Sequence, residues 1–136
     1  MWSQEKILRV AFLVGAFTDA LAILPMLVPA LARLLWVFYE VSGAYRFAMG
    51  YGASLMLGWT ALLLWAYQRP LERKGVAALT VLVIIGLVCT EIVAVLAGYL
   101  TAGSMLTTWF AQIILLCLFA AGFHYSRLKR WRERLA

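Results

Sequence analysis

Four long apolar runs, nearly free of charge, constrain this chain more than any other feature of its sequence. They cover residues 7–29, 47–67, 76–100 and 105–125. A helix needs about twenty predominantly apolar residues to cross the hydrocarbon core of a bilayer. The sequence therefore predicts an all-α integral membrane protein: a bundle of four transmembrane helices that forms a single domain over residues 1–136.

The overall composition favours the same class. Of the 136 residues, 65% are apolar and 13% are charged, whereas a soluble domain is typically about 25% charged. The start of the chain resembles a signal peptide, but an acid within its apolar run and three further runs favour a retained first helix. With so little polar sequence between the runs, we expect no soluble catalytic module.

The basic residues predict how the bundle is oriented. Ten of the twelve Lys and Arg residues lie in the N-terminal segment, in the second loop and in the tail at 126–136, whereas the first loop region has only Arg33 and Arg46. Cytoplasmic loops carry an excess of Lys and Arg. We therefore expect both termini in the cytoplasm, most simply at a bacterial inner membrane, and interpret the charge of +6 as a signal of topology and not of nucleic-acid binding.

The first run continues past the length of one straight span and is interrupted by Pro25 and Pro29. Proline inside a helix removes a backbone hydrogen bond and clashes with the preceding turn. The sequence predicts a kink or an end of the first span here, followed by an interfacial helix over 31–40. Trp36 and Tyr39 suit that position, because amphipathic rings favour the headgroup level.

Two carboxylates lie inside predicted spans. Asp19 is roughly 18 Å into span one and Glu91 roughly 22 Å into span three, counted from the cytoplasmic side at about 1.5 Å per residue. Ionisable groups within a membrane usually face the bundle interior and mark a functional site. Two acids side by side require a shared proton, a bound cation or a basic partner such as Arg46. The structural alternative is a neutral acid that hydrogen-bonds across helices.

Other residues are candidates for the same site or for packing. Gln112 in span four and Trp59 in span two are candidate lining residues for a proton, a cation or an amphiphilic ligand, and Arg46 is either a counter-ion or an interfacial anchor. Gly50, Ser54 and Gly58 recur every four residues. Such a pattern allows close approach of membrane helices, so it predicts a packing face within the bundle or between chains.

Familiar cofactor and catalytic motifs are missing. Cys89 and Cys117 lie in separate spans without a C-x-x-C motif, and His124 is a single histidine. The sequence contains no glycine-rich phosphate loop, no H-E-x-x-H and no G-x-S-x-G. We therefore expect no cofactor, no metal site and neither hydrolase nor kinase chemistry.

In length, number of spans and a carboxylate in the first span, the chain resembles the small multidrug transporters. Acids within a small helical bundle also make it similar to the membrane sterol-isomerase group, whose members bind cationic amphiphiles. The aromatic pattern of the transporters around their carboxylate is missing at Asp19, and Glu91 is an additional acid. No motif transfers residue by residue, so neither resemblance assigns a family.

Three functions remain open from the sequence. The first is a binding or transport bundle in which Asp19 and Glu91 hold a proton, a cation or an amphiphilic ligand. The second is an accessory subunit, in a homo-oligomer or a larger membrane complex, which the small-residue face of span two favours. The third is an intramembrane enzyme that uses one acid as proton donor and the other as base on a lipid-like substrate.

Overall fold

The computed structural model describes residues 3–35 and 42–135, with side chains for residues 3–34 and 42–125. Within this part the chain forms five helices: α1 (Gln4–Leu27), α2 (Pro29–Leu35), α3 (Gly43–Gln68), α4 (Gly75–Leu96) and α5 (Ala102–Leu135). Four of them are long and apolar enough to cross a membrane: α1, α3, α4 and the Ala102–Tyr125 part of α5. The prediction of an all-α chain with four candidate spans is confirmed.

Prolines set the boundary between α1 and α2. α1 contains Pro25 and ends at Leu27, and Val28 adopts an extended conformation with φ −109° and ψ 102°. The residue before a proline is disfavoured in the helical region, and Pro29 then starts α2, where its missing N–H loses no helical bond. Trp36 and Tyr39, which we predicted at the interface, lie outside the described residues.

A glycine ends α4 earlier than the apolar run predicts. The helix stops at Leu96, and Gly98 adopts a φ of +76°. The N–H of Tyr99 donates to the carbonyl of Ala94, and that of Gly98 donates to the carbonyl of Val95. These two bonds form a Schellman motif, which requires a left-handed residue just after the helix. The following connection to α5 is therefore short and tightly turned.

The helices pack in an uneven ring. α1 lies between α3 and α5, and α4 packs along α5, whereas α4 contacts α1 and α3 only slightly. Short loops favour antiparallel packing of consecutive helices. The consecutive pair α3 and α4 is the exception, since a short turn joins them but little else holds them together.

The bundle is tightly packed at the end where α1 begins. The side chain of Gln4 donates from Nε2 to the carbonyl of Gly122, at 3.1 Å, which joins the start of α1 to α5. Nearby, Phe12 and Phe119 are fully buried and their ring centroids lie 5.9 Å apart. Leu63 of α3 is also fully buried in this cluster. This core fills the half of the bundle that contains the start of α1.

Two glycines that the sequence analysis did not single out permit the closest helix contacts. A Cβ on Gly15 would lie 2.7 Å from Cζ of Phe119, and a Cβ on Gly122 would lie 2.9 Å from Cδ2 of Leu8. By contrast, a Cβ on Gly50 or Gly58 would meet no described atom within 4 Å. The predicted small-residue face therefore points away from this bundle, and its contact with another chain stays a prediction.

The outer surface of the bundle is apolar. Large side chains such as Phe47 and Leu96 are 77% and 81% exposed. In α4, only 11% of the most apolar 18-residue window is buried inside the bundle. Soluble proteins rarely expose contiguous apolar patches of such extent. The surface is compatible with a multi-pass membrane protein, whose outward side chains face lipid.

Candidate functional site

Two adjoining cavities lie beside the packed core, and Leu63 and Phe119 of that core line the larger one. We name the larger one, of about 440 Å³, the seam cavity, because it lies where α3 and α4 separate; Leu55, Trp59 and Val83 line it. The smaller one, of about 290 Å³, is the acidic cavity. Its polar lining residues are Thr18, Asp19, Glu91, Thr108 and Gln112. Ligand pockets commonly have volumes in the range of about 300–1,000 Å³.

Helical periodicity carries the polar residues into the acidic cavity. In α4, Thr80 and Ile84 are buried, and Glu91 follows on the same face at seven residues from Ile84. In α5, Gln112 is followed at three and seven residues by the buried Leu115 and Phe119. Residues separated by three, four or seven positions share a helix face. The sequence therefore directs Glu91 and Gln112 to the same interface between α4 and α5.

Glu91 and Gln112 are hydrogen-bonded to each other. Nε2 of Gln112 donates to Oε1 of Glu91 at 2.8 Å. Glu91 Oε2 and Gln112 Oε1 are both buried, and neither has a hydrogen-bond partner among the described residues. Leaving a buried polar group unsatisfied costs about 1–3 kcal/mol. The pair therefore presents two acceptors in need of a donor.

Asp19 lies at the boundary between the two cavities and lines both. It is half-buried, one helical turn beyond Gly15, whose close contact with Phe119 forms the floor beneath it. Among the described residues, Asp19 has neither an ion-pair nor a hydrogen-bond partner. The structure thus brings Asp19, Glu91 and Gln112 to one cavity, as lining residues.

Trp59 lines the seam cavity but not the acidic cavity. Its Nε1 atom is buried and has no hydrogen-bond partner among the described residues. A buried indole N–H normally finds an acceptor. The ring therefore adds a flat apolar wall and one unsatisfied donor next to Asp19.

Arg46 lies elsewhere. It is exposed and lines a third cavity, of about 260 Å³, together with Tyr45 and with Leu27 and Pro29 at the junction of α1 and α2. It forms no ion pair with Asp19 in the part of the chain whose side chains are described. The structure therefore does not bring Arg46 together with the two acids.

No family model matches this chain. Neither a curated protein nor a solved structure matches it either. The function must therefore be argued from the chemistry of the site itself.

The acidic cavity combines two carboxyl groups with one amide, and none of its lining residues in the described part of the chain is basic. Among the described residues, His, Cys, Asp and Glu form no group of three or more that could hold a metal ion. Carboxylates that line one low-dielectric cavity favour the uptake of a proton or a cation there. The arrangement is suited to a protonated amine, which offers several donors and one positive charge.

Thr18 and Thr108 line the acidic cavity but were absent from the sequence prediction. Thr108 lies four residues before Gln112, so extending the face of Gln112 by one turn would have found it. Thr18 donates its hydroxyl to the carbonyl of Val14. Adjacency to Asp19 is its only sequence signal, because residues one apart do not share a face.

Proposed function

We propose that this chain is a small intramembrane binding protein that holds a cationic, hydrogen-bond-donating group at Asp19, Glu91 and Gln112. The observation that carries the proposal is that both acids line one cavity in which no basic side chain is found among the described residues. A charged group at membrane depth normally has a partner. A ligand that supplies the positive charge would complete the site.

The hydrogen-bonding pattern of Glu91 and Gln112 supports a ligand that brings donors and a positive charge. Glu91 Oε2 and Gln112 Oε1 are two separate buried acceptors without partners in the described part of the chain. A proton on Oε2 of Glu91 could satisfy the pair, because Oε2–H can then donate to Oε1 of Gln112, but it would neutralise the carboxyl group. An ammonium group has up to three N–H donors, enough for the two acceptors and Asp19, and leaves the carboxylate charged.

The test is binding of an alkylamine probe to the full chain in nanodiscs of neutral phosphatidylcholine. We expect dodecylamine to bind more tightly than dodecanol, since only the amine is charged. Asp19→Asn and Glu91→Gln should each weaken amine binding about tenfold or more, because hydrogen bonds to charged groups contribute about 1.5–3 kcal/mol.

A matched control is available in the turn between α3 and α4. Glu72 is an exposed acid that pairs with Arg69, outside the cavities. Glu72→Gln removes the same charge as Glu91→Gln and should leave amine binding unchanged. Equal binding of amine and alcohol, or full binding by both cavity variants, would show that the proposal is wrong.

We further propose that both termini face the cytoplasm of a bacterial inner membrane and that α2 lies along the opposite surface. The excess of Lys and Arg in the N-terminal segment, second loop and tail supports this orientation. Reporter fusions at residue 136 provide the test. A cytoplasmic reporter should be active there and a periplasmic one inactive; the reverse result would refute the orientation.

A further inference from the structure

The loosely packed seam between α3 and α4 reaches the outer surface of the bundle. α3 packs along α1, and α4 packs along α5, but α3 and α4 themselves contact only slightly. At the turn, the guanidinium of Arg73 lies 3.7 Å from the ring centroid of Trp65 and also donates to the Trp65 carbonyl. Arg73 precedes α4, which begins at Gly75, so these contacts join the turn to α3. Along their lengths, α3 and α4 have few contacts with each other.

The seam cavity has walls that are exposed as well as inward-facing. Leu55 on α3 is 66% exposed, and Val83 and Leu87 on α4 are 39% and 44% exposed, yet all three line the cavity. A residue that is exposed on the outer surface and also lines the cavity must lie at the mouth of that cavity. Because the surrounding surface is apolar, that mouth opens toward lipid acyl chains rather than toward water.

The seam cavity continues into the acidic cavity. Asp19, Met56, Ile84 and Leu87 line both. The combined site therefore has an apolar part, the seam cavity, and an adjoining polar and acidic part. A molecule with an apolar body and a positively charged head matches both parts in this order.

We infer that the ligand is a lipid-soluble amphiphilic amine that enters from the bilayer through the seam between α3 and α4. Its apolar body occupies the seam cavity, against Trp59, and its ammonium head reaches Asp19 and Glu91. This inference rests on the proposed function and adds to it the ligand class and the route of access. A simple acyl chain matches only the apolar part and leaves the buried acceptors of Glu91 and Gln112 unsatisfied.

The test uses dodecylamine with a diazirine in the middle of its chain, photolysed with the full protein in phosphatidylcholine nanodiscs. Leu55→Trp places a larger ring at the mouth. Leu57→Trp is the matched control, because Leu57 is 62% exposed on the same helix and lines neither cavity. We expect Leu55→Trp to reduce labelling about tenfold and Leu57→Trp to leave it unchanged. Mass spectrometry should place the label on the lining residues of the seam cavity.

A second variant distinguishes a blocked route of access from a loss of folding. Leu55→Ala removes bulk from the mouth, so it should speed association of the probe, whereas Leu57→Ala should not. Slower or unchanged association in Leu55→Ala, together with normal labelling of Leu55→Trp, would refute access through the seam.

The results also separate the two proposals. If Asp19→Asn loses the probe while Leu55→Trp keeps it, the acidic site stands and the lateral route is wrong. If Leu55→Trp loses the probe while Asp19→Asn and Glu91→Gln keep it, and dodecanol competes as well as dodecylamine, the cavity is an acyl-chain groove. Both proposals would then be wrong. Labelling of α3 confined to residues outside the cavity, such as the face of Gly50 and Gly58, would show that the probe binds on the outer surface and would also refute the inference.

Discussion

Nε2 of Gln112 lies 2.8 Å from Oε1 of Glu91, and this hydrogen bond joins α5 to α4 within the apolar part of the bundle. The bond fixes the Glu91 carboxyl in the wall of the acidic cavity, while Glu91 Oε2 is left without a partner among the described residues. One contact thus serves two purposes: it holds a helix pair together and positions the acceptors that a ligand would meet.

Replacing Gln112 by Leu should destabilise the bundle, because Oε1 of Glu91 then loses its donor while remaining buried. Interhelical hydrogen bonds in membrane proteins contribute about 0.6–2 kcal/mol, so a loss of that size is expected. Reversible unfolding in mixed detergent micelles would measure it. The double variant with Glu91→Leu should recover part of the loss, and an unchanged stability of Gln112→Leu would contradict the structural role of the bond.

Gly15→Ala should destabilise the packed half of the bundle. The added Cβ would lie 2.7 Å from Cζ of Phe119 and 3.1 Å from Cδ1 of Leu63, so the buried ring must shift. Overpacking of this kind costs about 1–3 kcal/mol. Gly58→Ala is the control, since its Cβ meets no described atom within 4 Å. Thermal unfolding of both variants in one detergent should show a lower midpoint for Gly15→Ala alone.

Gly98→Ala should weaken the end of α4. Gly98 has a φ of +76°, a conformation that an L-residue with a side chain adopts at a cost of about 1–2 kcal/mol. Gly103→Ala, within α5 and with open space around its Cβ, is the matched control. We expect the midpoint of thermal unfolding to be lower for Gly98→Ala than for Gly103→Ala. Equal midpoints would show that the Schellman motif contributes nothing measurable to stability.

Amine binding should weaken as the pH falls. Protonation of Asp19 removes a negative charge that attracts the ammonium group. The amine itself stays charged, since alkylamines resemble Lys with an ordinary pKa of about 10.4. Binding of dodecylamine measured from about pH 8 to about pH 4 should therefore decrease. Dodecanol is the control and should show no such decrease. A pH-independent amine affinity would mean that carboxylate charge does not contribute to binding.

Trp59 should report binding through its fluorescence. Its ring lines the seam cavity, so the apolar body of the probe would contact it, while Trp109 lines neither of the two cavities. We expect dodecylamine to change the emission of the full protein, and Trp59→Phe to abolish this change. Trp109→Phe should retain it. A response that survives Trp59→Phe would place the probe elsewhere.

Much of the fold followed from the sequence because a membrane imposes a single strong rule. Backbone polar groups must be satisfied within each apolar segment, which leaves helices as the solution for runs of this length. Pro29 marked the break after α1 for an equally local reason. The end of α4 was less predictable, because the apolar run continues past Leu96 and only the conformation of Gly98 terminates the helix.

The site was partly visible in the sequence. Asp19 and Glu91 were conspicuous because acids are rare at membrane depth, and their similar depths suggested one site. Arg46 was either a counter-ion for these acids or an interfacial anchor, and it lines a different cavity from theirs. Gly50, Ser54 and Gly58 had the spacing of a packing face, but Gly15 and Gly122 make the close contacts within this chain.

The four apolar helices and the two acids within them follow from local composition and backbone chemistry. The packing of the helices, in contrast, settles which faces meet. It paired Glu91 with Gln112, left Asp19 between two cavities and separated α3 from α4 beyond their turn. Apolar surfaces surrounded by lipid gain little from burial, so helix neighbours depend on the fit of side chains such as Gly15 against Phe119. That fit is a property of side chains from distant parts of the chain, and no single stretch of sequence contains it.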